Sequence, residues 1–523
     1  MAKWEAKGYW TRDTIHWPRP VHPLFVSFGL KPIEIGSEKA YEEWCIPSIK
    51  NAYLVLNGYV YQRAELIGGE APPIMEKFPF LFNLWRLDPN MKKRILGFDR
   101  FMKEKGFEKN IGTFKKEWEP EAKTRLKPIL EFDPSKATNE ELAKHLEECY
   151  DFLCCSWNPH VKIVMIGMYI RDKWVGVCQR LLNLTEFEGY ELVQVGDEEV
   201  TVVTRRLLEL ARGAEKDPQI KEIFSLPHEE AYEKLAGTWF RKELDQFLDE
   251  EGDRPVDSFE LDPTWREMPE IVLGIIKGFM GTDYDPLSEE EEFQSYRRER
   301  IAELRKSLKG DSLKEFDYWL ELAEKAQPLT ETHDYILSNI PLCHVRYGAL
   351  EAGRRFVEKK ALTSPEDTLF LYREELLSAL RGELPLNEVK ALVQERKEER
   401  KYQFTLTPPS TLGKAPADPP WNVFPPRAAE GMKILVNQAS SIEVHENATG
   451  LTPEGELFGT PGSPGVAEGT VRIIHTVEEF QEVQKGDVLV CPFTTPTWTV
   501  LFPQVAALVT DTGGSLSHAA IVA

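Results

Sequence analysis

Apolar side chains recur every three or four residues over most of the chain up to Phe404, which predicts a largely helical region. Thr138 and Asn139 are suited to cap the first clear helix of this region. Tyr190–Val203 instead alternates apolar and polar positions, so it predicts a short hairpin. The helices predicted from the spacing are Glu140–Leu153, Glu289–Leu308, His344–Lys359 and Glu388–Gln403.

The pattern changes abruptly after Phe404, where seven prolines fall between Pro408 and Pro426. Proline removes backbone donors and favours extended backbone, so this stretch cannot be helical. We therefore expect residues 405–455 to be a linker that follows a helical domain over residues 1–404. The alternative is a long ordered strap that lies over the helical domain.

Short apolar runs then alternate with loops, at 469–475, 486–493 and 505–511, with a short helix expected at 477–484. The sequence therefore predicts a multidomain protein: a mainly α-helical domain plus a small α/β domain over residues 456–523. Because the chain stops at Ala523, just after an apolar helix start, we expect this α/β domain to be incomplete at the C-terminus.

Charge and composition exclude several classes of partner. The formal net charge is -22, and such a surface repels the phosphate backbone of a nucleic acid. The N-terminus has no apolar core of a secretory signal, and the apolar runs are too short to span a membrane. Seven cysteines without a paired CxxC pattern indicate reduced thiols. We expect a cytoplasmic protein without nucleic-acid or membrane partners.

The stretch 507–523 carries the most informative chemistry. A buried strand runs into two glycines, and a helix is predicted to start near His518. Glycines allow close approach of a ligand, and the free N–H groups of a helix start favour a phosphate. The imidazole of His518 can attack a phosphoryl group and pass it on. The predicted phosphate-binding residues are Thr512, Gly513, Gly514, Ser515 and Ser517.

The same stretch resembles the phosphohistidine signature of the phosphoenolpyruvate-utilising enzymes. Residues 459–474 and 486–498 resemble the opening and the middle of that family's swivelling domain. The resemblance covers 459–523 and implies that residues 456–523 form an α/β swivelling phosphohistidine domain with His518 as the phosphorylated residue.

The helical region resembles the substrate-binding domain of rifampin phosphotransferases in two stretches, 252–273 and 332–376. That resemblance implies a helical domain that holds a hydroxyl acceptor. Asp253 departs from it, because the relatives often have histidine there. The chain shows no nucleotide-binding motif such as GxxxxGK[ST].

An acceptor domain and a phosphohistidine domain without an ATP domain most resemble the larger subunits of phenylphosphate synthases. This implies an ATP-dependent phosphotransferase of the dikinase type, with a separate ATP-grasp kinase subunit that binds ATP and Mg²⁺ (or Mn²⁺). The acceptor would be phenol or a similar small aromatic alcohol. The alternatives are an antibiotic-type hydroxyl phosphotransferase subunit and a non-catalytic phosphocarrier or scaffold protein.

Transfer to a hydroxyl needs a base and a cation near the acceptor. His333 with the adjacent Asp334 is the candidate base, and His160 is a second candidate that could also bind substrate. Each arginine could instead form a salt bridge between helices, and the sequence identifies no metal ligands. The candidate substrate-binding arginines are Arg254, Arg346, Arg354 and Arg355.

Overall fold

The structure is a computed structural model in which two compact units can be described separately. Unit 1 comprises Met1–Asp172, Phe259–Leu261 and Leu329–Glu443, and unit 2 comprises Lys173–Ser258, Asp262–Pro328 and Val444–Ala523. The structure describes residues 3–14, 16–67, 69–70, 75, 77–195, 198–256, 260–280, 286–441, 450–451, 456–459, 465–475, 477–492, 494, 498, 501–502 and 504–511.

Unit 1 is built mainly from helices with buried apolar faces. The longest begins with a capping box, in which Thr138 and Glu141 exchange side-chain-to-backbone hydrogen bonds. This confirms the predicted cap. The helices are α1 (Pro23–Phe25), α2 (Lys31–Glu43), α3 (Pro89–Lys103), α4 (Gly106–Asn110), α5 (Glu119–Leu130), α6 (Asn139–Leu182, continuing into unit 2), α15 (Leu329–Asp334), α16 (Ile340–Glu358), α17 (Arg373–Leu380), α18 (Leu386–Gln403) and α19 (Pro426–Ser441).

A four-stranded antiparallel sheet also belongs to unit 1, which the apolar spacing did not predict. Its strands are β1 (Trp10–Arg12), β2 (Ser48–Leu56), β3 (Tyr59–Leu66) and β4 (Thr411–Leu412), in the order β2-β3-β1-β4. Asn57 and Gly58 join β2 to β3, and both have positive φ, 49° and 82°. An Asn-Gly pair with this backbone is the preferred turn of a tight hairpin.

The Pro-rich stretch is part of unit 1 and packs against its sheet. Its strand β4 pairs with β1, and the buried Tyr61 hydroxyl donates to the Pro409 carbonyl at 2.9 Å. Farther along, Trp85 Nε1 donates to the Val423 carbonyl at 3.2 Å. Residues 405–425 therefore have the form of an ordered strap, and residues 426–441 are helical. The domain boundaries drawn from the sequence stay a prediction.

Unit 2 is also mainly helical, and here the predicted hairpin at Tyr190–Val203 is wrong. Residues 186–191 form a short helix, and a longer helix starts at Glu198. Val203, Leu207, Leu210 and Ala211 are buried at helical spacing, which outweighs the short alternating pattern. The helices are α7 (Glu186–Glu191), α8 (Glu198–Lys216), α9 (Pro218–Ile223), α10 (His228–Lys234), α11 (Trp239–Glu251), α12 (Pro269–Phe279), α13 (Pro286–Ser307) and α14 (Asp311–Ala326).

The C-terminal part of unit 2 contains the predicted α/β region. Its parallel sheet has the order β7 (Val471–Ile473), β8 (Val488–Cys491), β9 (Ala507–Thr510), and a 3-10 helix spans Val477–Glu482. Before it, β5 (Gly450–Leu451) pairs with β6 (Leu457–Phe458). A Cβ atom on Gly469 would lie 2.1 Å from the Gly486 carbonyl, so only glycine fits this crossing.

The predicted fold class, a mainly α-helical domain plus a small α/β domain, is thus confirmed. Within the described part of the chain, each helix is too short or too polar to cross a membrane.

A buried pair of histidines lies in unit 1, between α6 and α16. His145 is 1% exposed, stacks on Phe132 with ring centroids 4.0 Å apart, and contacts His344 edge-on at 6.1 Å. Burial, together with the His344 charge, lowers the pKa of His145 to about 4. His145 is therefore neutral in the folded protein at pH 5 but is mostly protonated at that pH once the chain unfolds.

We predict that the strap depends on the Tyr61 hydroxyl. Tyr61→Phe leaves the Pro409 carbonyl without this donor, at a cost of about 1–3 kcal/mol. Limited proteolysis should then cleave residues 405–425 several times faster than in the wild type. Tyr59→Phe is the matched control, because its hydroxyl makes only long contacts of 3.3 and 3.4 Å to this part of the chain. Equal cleavage of both variants and the wild type would contradict the prediction.

We also predict a pH-dependent loss of stability from His145. Its folded pKa lies below its unfolded pKa, so stability is present above the unfolded value and falls as the pH drops toward about 4. The difference between pH 7 and pH 5 amounts to about 2 kcal/mol. Urea unfolding at both pH values should show a weaker pH dependence in His145→Gln, whereas the exposed-site control His475→Gln should match the wild type. An unchanged dependence in His145→Gln would contradict the assignment.

Candidate functional site

Helices α15 and α16 of unit 1 are joined by a short irregular segment, and Pro341 lies in the first turn of α16. Pro341 has no N–H, so the carbonyl of Leu337, four residues earlier, lacks its helical partner. Ser156 Oγ on α6 donates to this carbonyl at 2.6 Å. The backbone between α15 and α16 is a π-helical segment, Tyr335–Asn339, a local irregularity that is frequent at functional sites.

The same join brings three of the predicted site residues together. His160 lies one turn beyond Ser156 on α6, and His333 and Asp334 lie one turn before Leu337. Because the helices run antiparallel here, these side chains face each other. His160 Nδ1 is 3.1 Å from Asp334 Oδ1, and the His160 and His333 ring centroids are 4.6 Å apart. One ligand atom of each residue lies within 4.8 Å of the others. We call these three residues the His–Asp cluster.

The orientation of His333 is fixed by a backbone hydrogen bond. Its Nδ1 lies 2.6 Å from the Leu329 carbonyl, which can only accept, so Nδ1 carries the proton and Nε2 carries the lone pair. The residue is 2% exposed, and Nε2 has no hydrogen-bond partner among the described residues. Burial lowers the pKa of His333 to about 4, although the Asp334 charge opposes this shift.

Asp334 supplies the negative charge of the cluster. Burial acts to raise its pKa, but the charges of His160 and His333 and the bonds from His160 and Ser338 hold it well below its usual range. Ser338 Oγ donates to Asp334 Oδ1 at 2.9 Å. The cluster therefore combines an ionised carboxylate, a buried free lone pair and a second imidazole.

Aromatic and small residues shape the surroundings of His160. The Trp157 ring contacts the His160 ring with centroids 4.1 Å apart, and no described residue forms a hydrogen bond with its buried Nε1. A Cβ atom on Gly36 would lie 2.3 Å from Trp157 Cβ and 2.8 Å from the Asn158 nitrogen. Glycine at position 36 therefore allows α2 to pack directly against this turn of α6.

Sequence reasoning did not identify several residues around the cluster. Ser338 and Trp157 could have been found from helical spacing, since they are four and three residues from Asp334 and His160. Asp13 and His16 carry no such signal, because they lie far away in the sequence. His16 Nδ1 is 2.8 Å from Asp13. Burial acts to lower the pKa of His16, but Asp13 and, in addition, Asp334 raise it.

The candidate arginines form ion pairs, as their alternative interpretation predicted. Arg254 in unit 2 pairs with Glu251 at 2.8 Å. In unit 1, Arg346 pairs with Glu366 and donates to the Leu261 carbonyl, and Arg354 pairs with Glu351. These contacts do not place any of the three at the cluster.

Arg355 and Asp253 also have structural partners. Arg355 binds Glu351 and donates to Asn139 and to the carbonyls of Pro134 and Ala137. Asp253, at the position where the relatives often have histidine, pairs with Arg266 Nε at 3.1 Å. The predicted carrier His518 and the phosphate-binding residues Thr512, Gly513, Gly514, Ser515 and Ser517 lie outside the described residues.

Two regions of the chain match known protein families. Residues 160–331 match the family described as the rifampicin phosphotransferase fourth domain. Residues 483–523 match the mobile domain of PEP-utilising enzymes. The predicted resemblance to the PEP-utilising enzymes is confirmed. The second match contains His518, and the first begins at His160.

Curated relatives resemble the chain over much of its length. It is 26% identical over 531 residues to the uncharacterised phosphotransferase YvkC of Bacillus subtilis (strain 168), covering 99% of this chain and 58% of that protein. It is 25% identical over 414 residues to a rifampicin phosphotransferase of Streptomyces sviceus, covering 73% and 43%. A phosphoenolpyruvate synthase of Aeropyrum pernix is 51% identical over 74 residues, 14% of this chain and 9% of that protein. The chain thus spans well under two thirds of each relative's length.

We predict that replacing two adjacent arginines lowers the free energy of unfolding by different amounts, because their ion pairs differ in burial. Arg355→Ala removes bonds to several partly buried acceptors and should lower the free energy of unfolding by about 2–3 kcal/mol. Arg354→Ala is the matched control: its side chain is 54% exposed, so its removal should cost about 0–1 kcal/mol. Urea unfolding measures both. If Arg354→Ala is the more destabilising variant, the structural assignment is contradicted.

Proposed function

We propose that this chain is the carrier and acceptor part of a phosphotransferase. His518 receives a phosphoryl group and passes it to a hydroxyl that is bound at the His–Asp cluster of unit 1. The observation that carries the proposal is the convergence of His160, His333 and Asp334, although His160 lies more than 170 residues before the other two in the sequence. The match of residues 483–523 to a PEP-utilising mobile domain and the phosphotransferases among the relatives support it.

The cluster has the features that an acceptor hydroxyl requires. The unpartnered Nε2 of His333 can accept a hydrogen bond from the hydroxyl, and the nearby Asp334 carboxylate stabilises positive charge on either imidazole. In the transfer, the N–P bond to His518 breaks and the O–P bond to the acceptor forms. The hydroxyl proton goes to the cluster, and the His518 ring takes up one proton as the N–P bond breaks, so that it leaves as a neutral imidazole.

We also propose a source for the phosphoryl group that His518 receives. A separate ATP-grasp kinase subunit, with ATP and Mg²⁺ or Mn²⁺, would phosphorylate His518 in a dikinase-type reaction. Support comes from the resemblance to the larger subunits of phenylphosphate synthases.

The proposed acceptor is phenol or a similar small aromatic alcohol. Trp157 beside His160 offers an aromatic surface, and its free Nε1 offers a donor for an acceptor oxygen. The second candidate is a bulky hydroxylated antibiotic, favoured by the rifampicin phosphotransferases among the relatives. A carrier that binds no acceptor is the third outcome of the test.

The test first loads the chain and then offers the acceptors. The full chain is incubated with the candidate ATP-grasp partner, Mg²⁺ and ATP, and intact mass with acid treatment measures the phosphate attached. We expect one acid-labile phosphate in the wild type and none in His518→Ala. Phenol or a rifamycin is then added, and the appearance of the phosphorylated product identifies the acceptor.

His333→Gln separates the acceptor site from the carrier step. It should load phosphate like the wild type but transfer it roughly 100-fold more slowly or worse. The matched control, His145→Gln, is equally buried in unit 1 and should transfer at the wild-type rate. Absence of loading in the presence of an active partner would refute the carrier role. Normal transfer by His333→Gln would refute the assignment of the acceptor site.

A further inference from the structure

We infer that the His–Asp cluster is a binding site for a divalent transition-metal ion, held by two imidazoles and one carboxylate. This inference rests on the proposed function for its purpose, since such an ion would bind the acceptor hydroxyl. The evidence for the metal site is independent of the proposed function. Two histidines and an aspartate form a donor set that suits Zn²⁺, Mn²⁺, Fe²⁺ or Co²⁺.

The geometry of the first pair of ligands fits an ion directly. Ligand bonds of about 2.1 Å at right angles place two donor atoms about 3 Å apart. His160 Nδ1 and Asp334 Oδ1 are separated by 3.1 Å. All three donors lie within 4.8 Å of one another, so a small side-chain rotation completes the set.

An independent observation comes from His333. His333 is only 2% exposed, and within the part of the chain that the structure describes its buried Nε2 has no hydrogen-bond partner. A buried polar atom without a partner costs free energy, so in native proteins such atoms are usually paired with a protein group, an ordered water or an ion. Among its ring atoms, Nε2 is the one that remains available for a ligand, because Nδ1 faces the Leu329 carbonyl.

The surrounding hydrogen bonds are those that metal sites require. Metal-bound histidines usually donate their other N–H to a carbonyl or carboxylate, and metal-bound carboxylates accept further hydrogen bonds. His333 meets the first condition through Leu329, and Asp334 meets the second through Ser338. Trp157 against the His160 ring adds an apolar wall that limits access of water.

An ion at this position would change how the acceptor is activated. A hydroxyl bound to a divalent cation loses its proton more readily, so the ion would take over the role that a direct hydrogen bond to His333 plays in the metal-free site. His160, His333 and Asp334 would then be ligands, and the proton would leave to solvent.

Metal binding is tested on the full chain after removal of metal with EDTA. Co²⁺ is added stepwise, its visible absorption in a protein site is recorded, and Zn²⁺ is then used to displace it. We expect one equivalent of Co²⁺ in the wild type. His333→Gln and Asp334→Asn should weaken binding roughly 100-fold or more, and Ser338→Ala by about 10-fold. His145→Gln should bind as the wild type does.

The Co²⁺ binding experiment still tests the inference if one variant does not fold. His160 is 13% exposed and Ser338 lies outside the donor set, so His160→Gln and Ser338→Ala decide the question if His333→Gln is unfolded by circular dichroism. Absence of Co²⁺ binding in the wild type, or equal binding in wild type and Asp334→Asn, would overturn the inference. The His518→Ala chain should bind Co²⁺ normally, which separates failure of the metal site from failure of the phosphoryl carrier.

Discussion

The hydrogen bond from Ser156 to the Leu337 carbonyl determines what the rest of the site can be. It exists because Pro341 leaves that carbonyl without its helical donor, and a buried carbonyl without a partner is costly. The hydrogen bond from Ser156 to this carbonyl holds α6 next to the π-helical turn before α16, with Ser156 opposite Leu337. One turn away on each helix, that register places His160 opposite His333 and Asp334. The Ser156 hydrogen bond thus lies next to the place where side chains far apart in the sequence meet.

The buried ionisable side chains of unit 1 differ in whether their polar atoms have hydrogen-bond partners. The guanidinium N–H groups of Arg346 and Arg355 donate hydrogen bonds to carboxylates and backbone carbonyls. These bonds hold helices and loops in place. His333 keeps one ring nitrogen unused although it is almost wholly buried. Saturated donors indicate structural residues, whereas an unsatisfied lone pair beside an ionised carboxylate indicates a place where another group binds. This contrast is why the site is assigned to the His–Asp cluster.

The sequence predicted the fold well where the pattern was long and local. The apolar spacing located α13, α16 and α18 to within a few residues, and the short apolar runs predicted β7, β8 and β9. It failed at Tyr190–Val203, where a few alternating residues were outweighed by the longer helical face of α8. The sheet of unit 1 was missed although Asn57-Gly58 is a strong hairpin signal.

The candidate site was predictable only in part. His333 with Asp334, and separately His160, could be named from residue type and local context, but their meeting could not, because it depends on a tertiary contact between α6 and the turn before α16. The arginines were ambiguous for the same reason: only the fold shows that Glu251, Glu351 and Glu366 pair with them. Asp13 and His16 have no local pattern that connects them to the cluster.

Binding of the acceptor at the His–Asp cluster is the central claim, and histidine resonances test it most directly. The full chain is labelled with ¹⁵N-histidine, the imidazole signals are assigned with single His→Gln variants, and phenol is added in steps. If phenol binds at the His–Asp cluster, we expect saturable shifts of the His160 and His333 signals and constant signals from His145 and His344. Unchanged signals from His160 and His333, in a chain that still loads phosphate on His518 and transfers it to phenol, would contradict the account.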